Sequence, residues 1–414
     1  MAALQRADKF LGAICCALLQ PLRWLRAGRR RAPTGAAHRR VLCMKFWGIG
    51  SLQMLTPAAR SLRSSHPGAE LVFLTLASNR QCAEGLGVFD RVLTLEVSGG
   101  GWLRVFGRIL GLIRNLRRER FDAVYDFEFF TRFSAVVGFL TGAPARHGFA
   151  STLVWRGGLH TRAVPFNRYW HVARNFRVLA GVEDGLNVTA RDLVPHQVTE
   201  LDELRVEGLL SAAGIAPGTE YAVLNPNAGT LSLERRWPAQ MFADLAGRVL
   251  REDGLAVILI GSGSEHEYTE GVLQLIDAPA PVRAANLAGA MTTGELAATL
   301  RGAAVVLSND SGPMHLAAAL GAPTVGLFGP ETPVMYGPIG LRALALYRPP
   351  ACSPCINVHD NKVASCIYGR PECLVNLPVD EVLEALRALR RGEVFELPGE
   401  AAPTATDDRS AEPR

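Results

Sequence analysis

The chain has 414 residues, 48% of them hydrophobic and 20% charged, which is typical of a globular protein long enough for two domains. Nine Lys and Arg residues, against one acidic residue, lie within residues 1–40, so the rest of the chain carries a net charge of −3 although the total is +5. A body this close to neutral argues against a nucleic-acid-binding protein.

Residues 1–40 combine an apolar run, Phe10 to Leu19, with a cluster of arginines. The run is too short to span a bilayer of ~30 Å as a helix. The arginines stand where a secretory signal would have its cleavage site. The segment therefore predicts a basic amphipathic helix, peripheral on anionic lipid at the inner face of the cytoplasmic membrane. The alternative is a disordered or misassigned leader.

Residues 41–205 alternate short apolar strands with amphipathic helices, which predicts a parallel sheet with crossover helices. The predicted strands are 41–46, 71–76, 91–96 and 121–127, and the predicted helices are 53–63, 102–118 and 133–140.

The same alternation restarts in residues 206–375, after a more polar stretch. The predicted strands are 221–225, 255–261, 303–307 and 324–328, and the predicted helices are 238–250, one from about 264, 293–300 and 312–320. The fold class is therefore α/β, with two Rossmann-like domains. Residues 376–394 contain a last helix, and 395–414 are predicted to be disordered.

The most informative stretch runs from Ser308 to Pro330 and reads as strand, turn, helix, turn, strand. Asp310, Ser311 and Gly312 form the turn that opens the helix, and His315 follows one turn later. A helix N-terminus presents unpaired backbone N–H groups and a partial positive charge. This pattern predicts an anion site, suited to phosphate, at the carboxyl end of a strand.

The stretch from Ser308 to Pro330 closely resembles the signature of glycosyltransferase family 9, the ADP-heptose:lipopolysaccharide heptosyltransferases. The resemblance covers residues 41–390. It implies a GT-B fold, in which two Rossmann-like domains face a cleft and the last helix, in residues 376–394, packs back on the first domain. It also implies a metal-independent, inverting glycosyltransferase that needs no cofactor.

The same resemblance implies that the donor is a nucleotide sugar, with ADP-heptose as the first candidate. The acceptor is a lipopolysaccharide-core or other lipid-linked envelope glycan. Two alternatives remain: a transferase that uses a different nucleotide sugar, and a non-catalytic nucleotide-sugar-binding protein.

The donor site implied by the resemblance lies in the second domain. Thr230 and Arg235 fall on the family's hydroxyl and basic positions, and Glu265 falls on its Gly-x-x-x-Glu pattern as the ribose ligand. Asp310, Ser311, Gly312 and His315 complete the set of predicted donor-binding residues. A cation at Arg235 would neutralise the departing diphosphate. The alternatives are a surface arginine, and a glutamate that caps a helix.

The predicted catalytic position departs from the family. Ser51 stands where the family has the Asp presumed to be the catalytic base. A serine cannot take a proton unaided at neutral pH. Asp126 and Glu128 are the predicted substitutes, because residues i and i+2 of a strand point the same way and both could face the cleft. The alternative for Asp126 is that it caps the following turn.

Three basic residues of the first domain, Lys45, Arg132 and Arg146, are predicted to bind an acidic acceptor that carries phosphate or carboxylate. They could equally be structural ion-pair partners.

Four cysteines follow the second domain's last predicted strand in the pattern Cys-x2-Cys-x10-Cys-x6-Cys: Cys352, Cys355, Cys366 and Cys373. Four thiolates in two clusters can hold a structural zinc ion. The second pair is more widely spaced than usual, so reduced thiols and disulfides remain alternatives.

Overall fold

The computed structural model describes residues 8–27, 38–99, 101–151, 154–183, 187–229, 232–277, 284–356 and 365–393. Within them the chain forms two six-stranded parallel sheets, one in each half, with helices on both faces. The predicted α/β class with two Rossmann-like domains is confirmed.

The first domain begins with a short π-helical turn at Asp8–Gly12. Its strands are β1 (Arg40–Met44), β2 (Glu70–Leu76), β3 (Arg91–Leu95), β4 (Ala123–Asp126), β5 (Ala145–Ala150) and β6 (Arg162–Pro165). Its helices are α1 (Ala13–Ala27), α2 (Ile49–Ser65), α3 (Arg80–Gly85), α4 (Gly101–Glu119), α5 (Arg132–Leu140) and α6 (Val172–Leu179). The strand order is β3-β2-β1-β4-β5-β6.

The second domain repeats this plan. Its strands are β7 (Tyr221–Asn225), β8 (Ala256–Leu259), β9 (Ala284–Asn286), β10 (Val305–Asn309), β11 (Thr324–Phe328) and β12 (Ala343–Tyr347). Its helices are α7 (Glu200–Ala212), α8 (Ala239–Glu252), α9 (His266–Gln274), α10 (Thr293–Arg301), α11 (Gly312–Ala319), α12 (Pro333–Tyr336), α13 (Glu372–Val375) and α14 (Val379–Arg390). The strand order is β12-β11-β10-β7-β8-β9.

The central strands are buried on both faces, as parallel sheets require. All five residues of β7, β10 and β11 are buried. In the first domain α2 and α6 cover one face of the sheet, while α4 and α5 cover the other. Because each crossover helix starts where a strand ends, the loops at the carboxyl ends of the strands gather at one edge of each sheet.

Two predictions about domain limits are corrected. The helix α7 spans the expected boundary at 205/206 and packs on α10, where Arg205 pairs with Glu295 and Arg301 pairs with Glu203. The first domain therefore ends before Glu200.

The last helix, α14, packs in the core of the second domain rather than back on the first, because Val382, Leu383 and Leu386 join Trp237 there. The tail 395–414 lies outside the described residues. No helix in the described part of the chain is both long enough and apolar enough to cross a bilayer.

Candidate functional site

The start of α11 stands at the carboxyl end of β10, as the motif predicted. Ser311 is the N-cap residue, but its hydroxyl does not cap the helix and instead accepts a hydrogen bond from Asn225 Nδ2 at 2.8 Å. Ser308 Oγ lies 3.1 Å from the same hydroxyl. The first backbone N–H groups of α11 are thus left without a side-chain cap, which suits an external anion.

The start of α2, in the first domain, meets the start of α11. A Cβ on Gly50 would lie 2.5 Å from His315 Cδ2 and 3.3 Å from Gly312 Cα. Glycine at position 50 therefore allows the two helices to touch. Gly48, the N-cap of α2, has a φ of 87° and provides no side-chain cap. Two positive helix ends that meet repel each other, so this junction favours an anion between them.

Arg235 lies at the same edge of the second sheet. One guanidinium nitrogen donates to the Asp310 carbonyl oxygen at 2.8 Å and to its carboxylate at 3.2 Å. The other donates to the Ala228 carbonyl oxygen at 2.6 Å. The Nε–H of Arg235 is buried and has no acceptor among the described residues. The structure thus joins two of the predicted donor-site residues and leaves one buried donor for a ligand.

Glu265 is engaged in holding loops together. One carboxylate oxygen accepts from the backbone N–H and the hydroxyl of Ser262, at 2.9 and 2.7 Å. The other accepts from the Gly229 N–H at 3.2 Å. The capping alternative therefore describes the contacts of this residue, and its ribose-binding role stays a prediction. Thr230, next to Gly229, lies outside the described residues.

The two carboxylates predicted to replace the catalytic base do not face the cleft together. The Asp126 carboxylate is buried and accepts from Ser134 Oγ at 2.8 Å, from His160 Nε2 at 3.0 Å and from Arg156 at 3.3 Å. Burial alone raises the pKa of Asp126, but the hydrogen bond from His160 and the Arg156 guanidinium outweigh it, so the pKa lies below its usual value.

Glu128 is also buried, but on different partners. Its carboxylate accepts from Lys45 Nζ at 3.1 Å, from the Trp47 N–H at 3.0 Å and from the Phe46 N–H. Because β4 ends at Asp126, Glu128 lies beyond the regular strand, and the alternation of side chains that would align it with Asp126 does not extend to it. Both carboxylates are bonded structural groups in this conformation, and neither is an open base. Ser51 lies in the first turn of α2, beside the junction with α11.

The predicted acceptor residues are corrected in part. Lys45 is buried against Glu128 and over the Phe129 ring, because a buried ammonium needs a counter-ion. Arg146 is fastened to the carbonyl oxygens of Leu159 and Ala143, at 2.8 and 2.5 Å. The ion-pair alternative therefore describes Lys45, whereas Arg146 is held by backbone carbonyl oxygens.

Arg132 lies in the first turn of α5, and its Nε donates to the Trp155 carbonyl oxygen at 3.1 Å. Its role toward an acceptor stays a prediction.

The partners of these carboxylates are not evident from the sequence. Arg156 and His160 come from a stretch that reads only as loop, and no local signal links them to Asp126. The buried asparagines had a local signal, because Asn225 ends β7 and Asn227 lies in the loop that follows it. Asn227 donates to the Ile260 carbonyl oxygen and to Thr269, both at 3.0 Å, and so fixes that loop.

The four clustered cysteines show no metal-binding arrangement. All four are free thiols. Burial first, and then the neighbouring thiols of Cys355 and Cys352, raise the pKa of Cys373 to about 11. Cys366 donates to the Arg370 carbonyl oxygen at 2.8 Å. Among the residues with described positions, no group of three or more His, Cys, Asp or Glu side chains is placed to hold a metal ion. Structural zinc stays a prediction.

The family model for glycosyltransferase family 9 (heptosyltransferase) matches residues 109–364, more than half of the chain. The chain belongs to glycosyltransferase family 9. It is therefore a glycosyltransferase, as the motif around Asp310 predicted. The N-terminal half of the first domain lies outside the matched residues.

Individual relatives agree with this family assignment. Lipopolysaccharide heptosyltransferase 2 of Escherichia coli K12 is 25% identical over 353 residues, covering 82% of this chain and 95% of that protein.

The crystal structure of E. coli ADP-heptose lps heptosyltransferase II superposes with a TM-score of 0.67 at 23% identity, covering 85% of this chain and 99% of that one. E. coli heptosyltransferase WaaC with ADP gives a TM-score of 0.60 at 19% identity, with coverage of 84% and 99%. The GT-B fold of this family 9 protein is thereby confirmed.

Proposed function

We propose that this glycosyltransferase transfers heptose from ADP-heptose, with inversion, to a lipopolysaccharide-core acceptor on the cytoplasmic face of the membrane. Relatives with 80 to 82% coverage of this chain are lipopolysaccharide heptosyltransferases. The observation that carries the proposal is the junction of two helix N-termini, Gly48–Ser51 and Ser311–His315, with Arg235 beside it.

The junction suits the leaving group of the reaction. As the bond between the sugar and the diphosphate breaks, negative charge grows on the diphosphate. Backbone N–H groups and a fixed guanidinium that are already in place stabilise this charge without reorganising. Interactions that strengthen with the developing charge lower the barrier rather than only the KM. Asp310 positions Arg235 by accepting hydrogen bonds from it through its carbonyl oxygen and its carboxylate.

The acceptor's hydroxyl must lose a proton as it attacks, and Ser51 stands where the family has its acidic residue. A Ser51→Asp variant is the direct test, because a positioned general base contributes ~10²- to 10⁴-fold to rate. We expect turnover to rise. A fall in turnover would indicate that the site has been rebuilt around the serine.

A second candidate function is nucleotide-sugar binding without turnover. The observation that favours it is the burial of Asp126 and Glu128 together with Ser51 at the catalytic position. Release of ADP from ADP-heptose in the presence of a heptose-deficient lipopolysaccharide acceptor separates the two functions.

The donor assignment is tested by calorimetric titration with ADP, UDP and GDP. We expect selective ADP binding, weakened in Asp310→Ala and Arg235→Ala. Arg248→Ala is the matched control, because Arg248 forms an ion pair with Asp380 at the surface of the same domain. Preference for UDP or GDP would reassign the donor. Absence of all nucleotide binding would overturn the proposal.

A further inference from the structure

Helix α4 turns an apolar face to solvent. Trp102, Leu103, Phe106 and Leu110 are 77, 65, 54 and 51% exposed. Their spacing places them on one side of the helix. An adjoining strip of the same helix packs on the sheet through Leu116, Ile109 and Leu112. Large apolar side chains gathered in one exposed patch mark an interaction surface.

The same helix is strongly cationic. Its five arginines are all exposed: Arg104, Arg108, Arg114, Arg117 and Arg118. Its acidic residue, Glu119, forms ion pairs with Arg91 at 2.9 Å and with Arg40 at 3.2 Å. Exposed aromatic residues beside a group of exposed arginines suit a partner that is apolar beneath an anionic surface, which is the chemistry of an anionic bilayer.

The N-terminal helical segment has the same character. Phe10, Leu11, Ile14 and Leu18 are 68, 62, 55 and 70% exposed. The other side of this segment is docked, because Cys16 is fully buried in a small apolar cluster with side chains of α5. The exposed side chains thus belong to a folded part of the domain rather than to a loose tail.

The two exposed faces lie on the same side of the sheet. Helix α5 is between them: its Ala135 and Phe139 pack against Cys16 of α1, and its Phe133 shares a cluster with Ile109 of α4. The three helices therefore form one layer, with α1 and α4 flanking α5.

The apolar residues are concentrated at the edge where the cleft opens. The Asp8 carboxylate accepts from the backbone N–H groups of Arg132 and Phe133, at 3.1 and 2.7 Å, which places residues 8–12 at the start of α5. Helices α4 and α5 both start at carboxyl ends of strands, which is the edge that bears the ligand cleft in this class of sheet.

We propose that the N-terminal helical segment, which comprises the turn Asp8–Gly12 and α1, forms one bilayer-contact face with α4. This face comprises Phe10, Leu11, Ile14, Trp102, Leu103 and Phe106; it lies on anionic lipid and turns the first domain's side of the cleft toward the membrane. A lipid-linked acceptor then reaches the cleft without leaving the bilayer. This assigns a second helix and an orientation to membrane attachment, and the binding itself does not depend on which nucleotide sugar is the donor.

The test is flotation of the full-length protein with acceptor-free vesicles of phosphatidylethanolamine and phosphatidylglycerol, compared with phosphatidylcholine. Two double variants probe the face: Trp102→Ser with Phe106→Ser, and Phe10→Ser with Leu11→Ser. The matched control is Leu201→Ser with Leu204→Ser on α7, because these leucines are 56 and 65% exposed in the other domain.

We expect wild-type protein to bind the anionic vesicles and not the neutral ones. Each double variant of the face should lower the partition coefficient about tenfold or more, because it removes two apolar anchors. The control variant should bind as wild type does. Trp102→Ser with Phe106→Ser should retain wild-type ADP affinity, which separates loss of the face from loss of the donor site.

Several results would overturn the proposal. Wild-type binding by the Trp102, Phe106 variant would show that α4 is not part of the bilayer-contact face. Equal binding to neutral vesicles would show that the positive charge of the face does not contribute to binding. An equal loss in the Leu201, Leu204 control would make the effect non-specific. A dimer in solution that the α4 variant dissociates would assign this face to a second copy of the chain.

Discussion

Replacing Gly50 by alanine should damage catalysis while leaving the fold intact. The new Cβ would lie 2.5 Å from His315 Cδ2, whereas ordinary contact begins near 3.4 Å, so the two helix starts must separate by about 1 Å. The His315 ring is buried and Gly312 contributes backbone at 3.3 Å, so neither moves aside cheaply. A misplacement of ~1 Å can cost ~10²-fold in rate.

The strain in Gly50→Ala is opposed by a small stabilising effect, the higher helix propensity of alanine. Alanine is a better helix former than glycine by up to ~1 kcal/mol, which offsets part of the strain. Gly208→Ala is the matched control, since a Cβ at position 208 in helix α7 meets nothing within 4 Å. We expect the control to raise the Tm slightly and to keep wild-type activity.

The assay measures kcat for ADP release, ADP affinity by calorimetry, and Tm for both variants. For Gly50→Ala we expect a Tm close to wild type, a lower kcat and weaker ADP binding. Wild-type kcat and ADP affinity in this variant would refute the reasoning, because the two helix starts would then not need this contact to bind the diphosphate.

Three further predictions concern stability and metal content. Glu128→Gln leaves the Lys45 ammonium buried without a counter-charge and should lower the free energy of unfolding by ~3 kcal/mol in urea titrations; an unchanged midpoint would contradict the buried pair. Burial lowers the pKa of His171 from 6.5 to about 4. Between these two pH values the unfolded chain therefore binds a proton that the folded protein does not bind. Stability should therefore fall as the pH drops from 6.5 through about 4, and His171→Gln, which can still donate to the Gly337 carbonyl oxygen, should flatten this profile; a profile as steep as wild type would count against it. For the four clustered cysteines, stoichiometric zinc by mass spectrometry, lost in Cys355→Ser, would support the structural zinc prediction, and metal-free protein would count against it.

Local patterns predicted the strand, turn, helix and strand around Asp310 well. The turn at Asp310 and the helix after it are encoded by adjacent residues, and the following strand is fixed by an apolar run. The chain order of strands and helices then determines that the loops meet at one edge. These features need no knowledge of distant contacts.

The first domain's charged residues were harder to place, because burial is set by residues far apart in sequence. Lys45 and Glu128 are 83 residues apart, and Asp126 is bonded to His160, 34 residues later. Each side chain taken alone resembles a binding-site residue. Only the packed structure shows that its charge is already matched. The expected position of α14 came from the family resemblance, and its apolar face fits either domain by pattern alone, so the sequence could not correct it.

The contact between the halves of the chain has a consequence for folding. Met314, Phe328, Met335, Tyr336 and Ile339 of the second domain are buried in the same apolar cluster as Leu52, Leu55 and Phe176 of the first. Neither half therefore completes its own interior. Produced separately, each would expose apolar surface that the other normally covers, and both would tend to aggregate. The intact chain should unfold in one cooperative transition rather than in two independent steps.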